Sequence, residues 1–204
     1  MIKPDMTHVN SLAEFYQEIK TLQAGAHGEE YIQHHKAIIK YAKECDTIKE
    51  IGVCQGGTFA AMMFQHPKKL IGLDILPEYF YPYKPLFDKY AEDNNIDYEY
   101  IVGDSLNHLL IHKVDMLHID SLHDPDHLAK ELRIHARHVN KYIVFHDTAN
   151  FATSRGLFPV IAKYITEEDQ SWQVVDHYIH RVGYTVIKKV KRKEYLNTSV
   201  SKKK

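Results

Sequence analysis

Apolar and polar positions alternate along the chain in a way that predicts a sheet covered by helices. Seven short apolar runs rich in β-branched residues recur: Thr47–Val53, Leu70–Ile75, Tyr98–Val102, Val114–Asp120, Tyr142–His146, Trp172–His177 and Tyr184–Val190. Longer segments with helical periodicity lie between the first five runs, for example Pro125–Val139, in which Leu128 and Leu132 share a face. This alternation predicts a mostly parallel sheet with helices on both faces.

The last two runs are joined differently from the others. Only residues 178–183 separate them, which is too short for a helical crossover, so we expect them to pair antiparallel as a hairpin. Five parallel strands followed by a terminal hairpin is not the pattern of a dinucleotide dehydrogenase. The expected fold class is α/β: a three-layer α/β/α, Rossmann-like sandwich with a seven-stranded, mostly parallel sheet whose last inserted strand is antiparallel.

The segment before the first strand is predicted to be helical. Ser11–Lys20 and Glu29–Lys43 have the pattern of amphipathic helices. These helices either cap a ligand pocket or form a face between two copies of the chain, which would make a homo-oligomer. We expect a single domain over residues 1–190, with N-terminal helices in residues 1–45, and a basic, flexible tail over residues 191–204.

Composition places the chain among ordinary globular proteins, with 44% hydrophobic and 26% charged residues. No apolar run reaches the roughly 18 residues of a membrane span, and the N-terminal segment lacks the apolar stretch of a secretory signal. The two cysteines, Cys45 and Cys54, are too few for a disulfide framework and lack metal-ligand spacing. Together these features predict a cytoplasmic protein without a membrane partner.

A glycine-rich loop follows the first apolar run and precedes the helix-like segment Thr58–Gln65. Glycine in a strand-to-helix turn lets the backbone approach a ligand closely, and the start of a helix offers free N–H groups. The spacing here, E-x-G-x-x-x-G-G, differs from the G-x-G-x-x-G of dinucleotide binding. The candidate cofactor-binding residues of this loop are Glu50, Gly52, Gly56, Gly57 and Thr58.

Polar residues also end the second and third runs. Asp74 stands 22 residues after Gly52, where an acidic side chain can accept both hydroxyls of a ribose. The glycine loop and Asp74 together favour an adenosine-containing ligand. Asp104 and Ser105 end the third run in a Gly-Asp-Ser segment that is also ordinary turn chemistry. The aromatic stretch Pro77–Tyr83 either walls the ligand, closes over it or packs as a surface loop.

The fourth and fifth runs end in candidates for chemistry. Asp120 ends the fourth run and His123 lies three residues beyond it, while His146 ends the fifth run and Asp147 follows it. Ligands of open α/β sheets bind at the carboxyl ends of the strands, so these side chains are expected at one rim. Two carboxylates and a histidine would bind a divalent cation with open positions, which can lower the pKa of a substrate hydroxyl. His123 is the candidate base, because an ordinary pKa of about 6.5 suits proton transfer.

Chance clustering is the competing interpretation, because the chain has 15 histidines. His118 is interpreted as a strand residue that faces a helix. His127, His135 and His138 are interpreted as one helix face without a ligand role.

The loop at residues 50–58 resembles the first motif of class I methyltransferases that use S-adenosyl-L-methionine. The segment with Asp104 and Ser105 resembles the one that contacts the adenine edge in that superfamily. The segments I-D-S-L-H (119–123) and V-F-H-D-T (144–148) are similar to those of a metal-dependent family. That family includes macrolide-sugar O-methyltransferases and cephalosporin-hydroxylase-type proteins. The likeness covers roughly residues 29–190.

This resemblance implies S-adenosyl-L-methionine as cofactor, Asp120 and Asp147 as ligands of a magnesium-type ion, and His123 as the catalytic base beside Asp120. One departure is that His146 stands where the family often has the first residue of an acidic pair. It shifts the site toward manganese, iron or zinc and leaves open that no metal binds. We expect magnesium or manganese at Asp120, His146 and Asp147.

The expected function is transfer of a methyl group from S-adenosyl-L-methionine to a hydroxyl oxygen of a small, sugar-like acceptor, with a divalent metal. A metal-dependent hydrolase or lyase would keep the rim but would not need the glycine loop and Asp74. A nucleic-acid methyltransferase could use the basic residues of 188–204, but the sequence lacks an N/D-P-P-Y/F segment and a paired catalytic cysteine motif. Thr148, Asn150 and Arg155 either face the substrate or cap the next helix.

Overall fold

The computed structural model describes residues 3–149 and 156–190 of the chain. Its seven strands there are β1 (Thr47–Ile51), β2 (Lys69–Asp74), β3 (Asp97–Val102), β4 (Val114–Ile119), β5 (Val139–His146), β6 (Trp172–Tyr178) and β7 (Tyr184–Lys189). The α-helices of the same part of the chain are α1 (Leu12–His27), α2 (Glu29–Ala42), α3 (Gly57–Met63), α4 (Lys84–Asp93), α5 (Pro125–His135) and α6 (Leu157–Lys163). No helix among these residues is both long and apolar enough to span a bilayer.

All seven strands belong to one sheet, in the order β3-β2-β1-β4-β5-β7-β6. Strands β1 to β5 pair in parallel, whereas β7 is antiparallel to both of its neighbours, β5 and β6. The predicted Rossmann-like sandwich with an antiparallel terminal hairpin is therefore confirmed. The chain turns from one half of the sheet to the other between β1 and β4, which is the point where open α/β sheets bind ligands.

Helices cover both faces of the sheet, because the strands are apolar on both sides. On one face α1 to α4 pack around the completely buried rings of Phe15, Phe59 and Phe87. On the other face α5 and α6 pack around Leu132 and Ile161, which are also completely buried. Each such side chain stabilises the fold by about 1.5–3 kcal/mol. This packing fixes the strand ends that carry the candidate site.

The first helix is longer than predicted. It begins after Ser11, whose side chain accepts the N–H of Glu14 (3.2 Å), but it continues to His27 instead of ending at Lys20. Gly28 ends it with a φ of +68°, a value that glycine adopts without strain. Gly28 is therefore the single residue between α1 and α2, and both helices lie over the same sheet face.

The boundary between α5 and β5 also differs from the prediction. The helical pattern extends to Val139, yet α5 ends at His135 and β5 already begins at Val139. Val139 pairs with Val114 of β4, so a β-branched residue that fits the helical period belongs to the sheet. Local periodicity cannot resolve such a junction, because both environments bury an apolar side chain.

Candidate functional site

The loop between β1 and α3 passes very close to the end of β4. Gly52 has a φ of +86° and donates its N–H to the carbonyl of Leu73 (2.9 Å). A Cβ at this position would overlap the backbone of Asp120, so the path of the loop requires glycine. Gly56, with a φ of +91°, lies directly against the buried ring of Phe80. These two predicted residues therefore set the position of the loop above the strand ends.

Asp74 connects this loop to the end of β2. Its Oδ2 accepts the N–H of Cys54 (2.7 Å), and its Oδ1 accepts the N–H of Leu76 (2.9 Å). A carboxylate has about four lone-pair positions, so Asp74 can accept two further hydrogen bonds. The geometry is suitable for the two hydroxyls of a ribose.

A cavity of about 440 Å³ lies beyond the carboxyl ends of β1 to β4. Small-molecule sites commonly have volumes of about 300–1,000 Å³. Five predicted residues line this cavity: Gly52, Asp74, Asp104, Ser105 and Asp120. Apolar side chains at or just beyond the ends of β1, β2 and β4, and one from the aromatic stretch, complete the wall: Ile51, Leu73, Ile75, Leu76, Leu122 and Tyr79. The structure thus brings the predicted cofactor residues of three strands to one pocket.

His127 lines the same cavity, although its helical position gave no sign of a ligand role. Its Nε2 lies 3.2 Å from Ser105 Oγ and 3.2 Å from Glu131 Oε1, and the hydrogen bond with Glu131 raises the pKa of His127. The sequence feature that could have indicated this position of His127 is the start of helix α5. Asp124 caps α5 and accepts the N–H of His127, so the first turn of α5 lies at the strand ends.

Glu50 and Thr58 occupy the inner side of the glycine loop. Glu50 is completely buried, its Oε1 accepts the Thr58 hydroxyl, and the same atom lies 2.7 Å from Nδ1 of His118. Nε2 of His118 lies 3.2 Å from Nε2 of His34 on α2. Burial raises the pKa of Glu50. This buried chain of polar groups supports the end of β1, and direct cofactor contact by Glu50 and Thr58 stays a prediction.

A smaller cavity of about 150 Å³ lies between the glycine loop and the N-terminal helices. It shares Gly52, Cys54 and Asp120 with the larger cavity. Its remaining wall comes from α1, α2, the loop and the end of β5: Ile19, Gln23, Glu30, Tyr31, Val53, Gln55, Gly57, Thr58 and His146. The N-terminal helices therefore form one wall of this cavity, and their role as the cap of a ligand pocket stays a prediction. A homo-oligomer stays a prediction.

The four rim residues predicted from the sequence form one connected cluster of side chains. Asp120 Oδ1 is 3.3 Å from His123 Nε2 and 3.2 Å from His146 Nδ1. His123 Nε2 is also 2.7 Å from Asp147 Oδ2. The His123 side chain is 42% exposed, whereas that of Asp147 is 8% exposed. His123 is thus the most exposed of the four rim residues.

Charge interactions at the rim oppose the effect of burial. Burial alone would lower the pKa of His123, but hydrogen bonds to Asp120 and Asp147 raise it to about 10. Burial would likewise lower the pKa of His146, and the charge of Asp120 instead raises it well above its usual value. Burial would raise the pKa of Asp120, but His146 and His123 hold it well below its usual range. Without a cation, both imidazoles are positively charged near neutral pH.

This arrangement predicts how stability depends on pH in the presence of a chelator. The pKa of His123 is about 10 in the folded chain and 6.5 in its ordinary state. Its charge therefore stabilises the fold fully below pH 6.5, and the contribution disappears as the pH rises to about 10. We expect the difference in unfolding free energy between wild type and His123→Gln to shrink over this range, as measured by urea denaturation. The exposed His108 provides the control His108→Gln, and a difference that stays constant from pH 6.5 to 10 would contradict the prediction.

The predicted metal ligands are brought together. Asp120, His146 and Asp147 each offer one ligand atom, and these atoms lie within 4.8 Å of one another. Two carboxylate oxygens and one imidazole nitrogen form a donor set that suits a divalent ion with open positions. The residues present therefore fit such an ion.

The remaining candidates are placed differently. Thr148 is completely buried and accepts a hydrogen bond from the Thr185 hydroxyl (2.8 Å), so it supports the contact between β5 and β7. Asn150, Arg155 and the basic tail over residues 191–204 lie outside the described residues.

No protein-family model and no curated protein sequence matches the chain. Solved structures do resemble it. The methyltransferase PaMTH1 of Podospora anserina, solved with bound S-adenosylhomocysteine, aligns with a TM-score of 0.64 and 16% identity over 89% of this chain and 88% of its own. An O-methyltransferase of Bacillus cereus in complex with S-adenosylhomocysteine has a TM-score of 0.57 and 15% identity over 94% and 93%. A ribosomal protein L11 methylase of Lactobacillus delbrueckii subsp. bulgaricus has a TM-score of 0.57 and 17% identity over 80% of each chain.

At these identities the likeness concerns the fold. The chain has the Rossmann-like fold of class I methyltransferases, with the same seven-stranded sheet and terminal hairpin. Because the similar structures include an O-methyltransferase and a ribosomal protein methylase, the shared fold leaves the acceptor open.

Proposed function

We propose that the protein transfers a methyl group from S-adenosyl-L-methionine to a hydroxyl oxygen of a small, sugar-like acceptor, with help from a divalent metal. The observation that carries this proposal is the position of Asp120. It lines the cavity that contains Gly52 and Asp74, and it also belongs to the rim with His123 and Asp147. The methyl donor in the cavity and the acceptor molecule at the rim would therefore come together at Asp120.

The larger cavity offers partners for each part of an adenosine. Asp74 would accept the ribose hydroxyls, and Asp104 and Ser105, which line the same cavity, would contact the adenine edge. The apolar wall would cover the base and exclude water. The smaller cavity continues past Gly52 toward α1 and α2, where the amino-acid end of the cofactor would lie.

The rim provides the groups for activating a hydroxyl. Asp120, His146 and Asp147 would hold the ion, and a bound divalent cation would lower the pKa of the acceptor hydroxyl. The same two carboxylates keep His123 protonated in the absence of a cation. When their charge is neutralised, His123 can lose its proton and act as the base. The protein then has to hold the oxygen in line with the methyl group.

Calorimetric titration with S-adenosylhomocysteine tests the cofactor part of the proposal. We expect wild type to bind, and Asp74→Ala to bind about 10- to 100-fold more weakly because two ribose hydrogen bonds to a carboxylate are lost. The matched control is Asp97→Ala, since Asp97 is exposed at the start of β3, the opposite end of the sheet. No binding by wild type would rule out the proposal, and equal affinities of the two variants would remove Asp74 from the site.

A further inference from the structure

His146 lies between two carboxylates from different parts of the chain. Its Nδ1 is 3.2 Å from Asp120 Oδ1, and its Nε2 is 3.1 Å from Glu30 Oε1. Glu30 belongs to α2 and is 2% exposed. If an ion takes the place of the proton on Nδ1, a proton held on Nε2 by Glu30 leaves the Nδ1 lone pair directed at the side of the ring where Asp120 and Asp147 lie. Carboxylates orient metal-binding histidines in this way.

His34, one helical turn after Glu30, supports the same ring from its face. The centroids of the His34 and His146 rings are 4.1 Å apart, and the ring planes differ by 10°. Imidazole lone pairs lie in the ring plane, so two stacked rings cannot both direct a nitrogen at one ion. Although Glu30, His34 and His146 offer ligand atoms within 4.8 Å, the stacking makes His34 a support for His146.

We propose that Glu30 and His34 are positioning residues of a transition-metal site whose ligands are Asp120, Asp147 and Nδ1 of His146. This inference deepens the metal-assisted transfer proposed above and rests on it. Imidazole nitrogen suits ions such as zinc, iron or nickel, whereas magnesium prefers oxygen ligands. The hydrogen bond to Glu30 makes the ligating nitrogen more basic and so strengthens its bond to the ion. The second helix is then part of the metal centre as well as a wall of the pocket.

Titrations with Co²⁺ and with Mg²⁺ test this inference, with the visible absorption of Co²⁺ as a second readout. We expect wild type to bind Co²⁺ about 100-fold more tightly than Mg²⁺. Glu30→Ala should weaken Co²⁺ binding about 10- to 100-fold, and Glu30→Gln, which keeps an acceptor oxygen, should recover most of that loss. The neighbouring Glu29 is exposed on the same helix, so Glu29→Gln serves as the control with wild-type affinity.

His146→Asp replaces the nitrogen ligand by an oxygen ligand and should reduce the preference for Co²⁺ over Mg²⁺ about tenfold or more. The proposal is overturned if wild type binds no Co²⁺ or binds Mg²⁺ equally well, or if Glu30→Ala matches Glu29→Gln. If Glu30→Ala does not fold, an unchanged ratio of the two affinities in His146→Asp overturns it. Titration of the same samples with S-adenosylhomocysteine separates a failure of the cofactor proposal from a failure of the metal site.

Discussion

Replacement of Asp120 by Asn is expected to lower kcat for methyl transfer by about 10³-fold or more. The change keeps the shape of the side chain but removes its charge. Asp120 is a proposed metal ligand and also accepts hydrogen bonds from His123 and His146. The variant would therefore bind the metal ion more weakly and would no longer orient His123, the proposed base. General acid–base catalysis alone contributes about 10²- to 10⁴-fold, and a metal contributes several kcal/mol more. Transfer of a labelled methyl group from S-adenosyl-L-methionine to a sugar diol measures the effect.

The matched control is Asp126→Asn, because Asp126 is exposed in the first turn of α5. It should keep wild-type kcat. We also expect Mn²⁺ affinity to fall about 10²-fold in Asp120→Asn, which provides a readout that does not depend on the acceptor. A kcat and an Mn²⁺ affinity within tenfold of wild type would show that the rim does not perform the chemistry.

Replacement of His118 by Leu is expected to lower the free energy of unfolding by about 3–5 kcal/mol. His118 and Glu50 are both completely buried, with 2.7 Å between Nδ1 and Oε1. Without His118, the completely buried Glu50 carboxyl group loses the hydrogen bond between Oε1 and Nδ1, and such a group is costly to bury whether it stays charged or takes up a proton. Leu cannot replace the hydrogen bond to Glu50 or the contact with His34. Urea denaturation measures the loss.

A second substitution identifies the cause of this loss. In the double variant His118→Leu/Glu50→Gln, an uncharged amide that can still accept the Thr58 hydroxyl replaces the isolated carboxyl group, so we expect recovery of at least about half of the lost stability. The exposed His108 supplies the control His108→Leu, which should change stability by less than about 0.5 kcal/mol. A loss below about 1 kcal/mol in the single variant, or no recovery in the double variant, would contradict the prediction.

The sequence predicted the sheet and the residues at its edge because burial imposes a simple pattern on strands. A strand covered on both faces is apolar throughout, and the pattern stops where the strand leaves the core. Asp74, Asp120 and Asp147 were therefore recognisable as polar residues at or directly after the ends of apolar runs. The antiparallel position of β7 followed in the same way from a connection too short for a helix.

Residues contributed by helices were harder to recognise. Glu30 and His34 stand four positions apart in an amphipathic segment, where polar residues usually face solvent. Both are buried, and Glu30 contacts His146 at a separation of 116 residues. The direction in which a helix crosses the sheet depends on packing across the whole domain, and the local pattern does not contain it. The pairing of His127 with Ser105 was missed for the same reason.

The close approach of Gly52 to the backbone of Asp120 has an evolutionary consequence. A side chain at position 52 would push away the strand end that carries Asp120, so a substitution in the glycine loop at this position would also displace the rim. Ile19, Gln23 and Tyr31 contribute to the same pocket from α1 and α2. New acceptor ranges should therefore arise first through substitutions in these two helices, and selection of variants on altered acceptors should accumulate changes there while position 52 stays glycine.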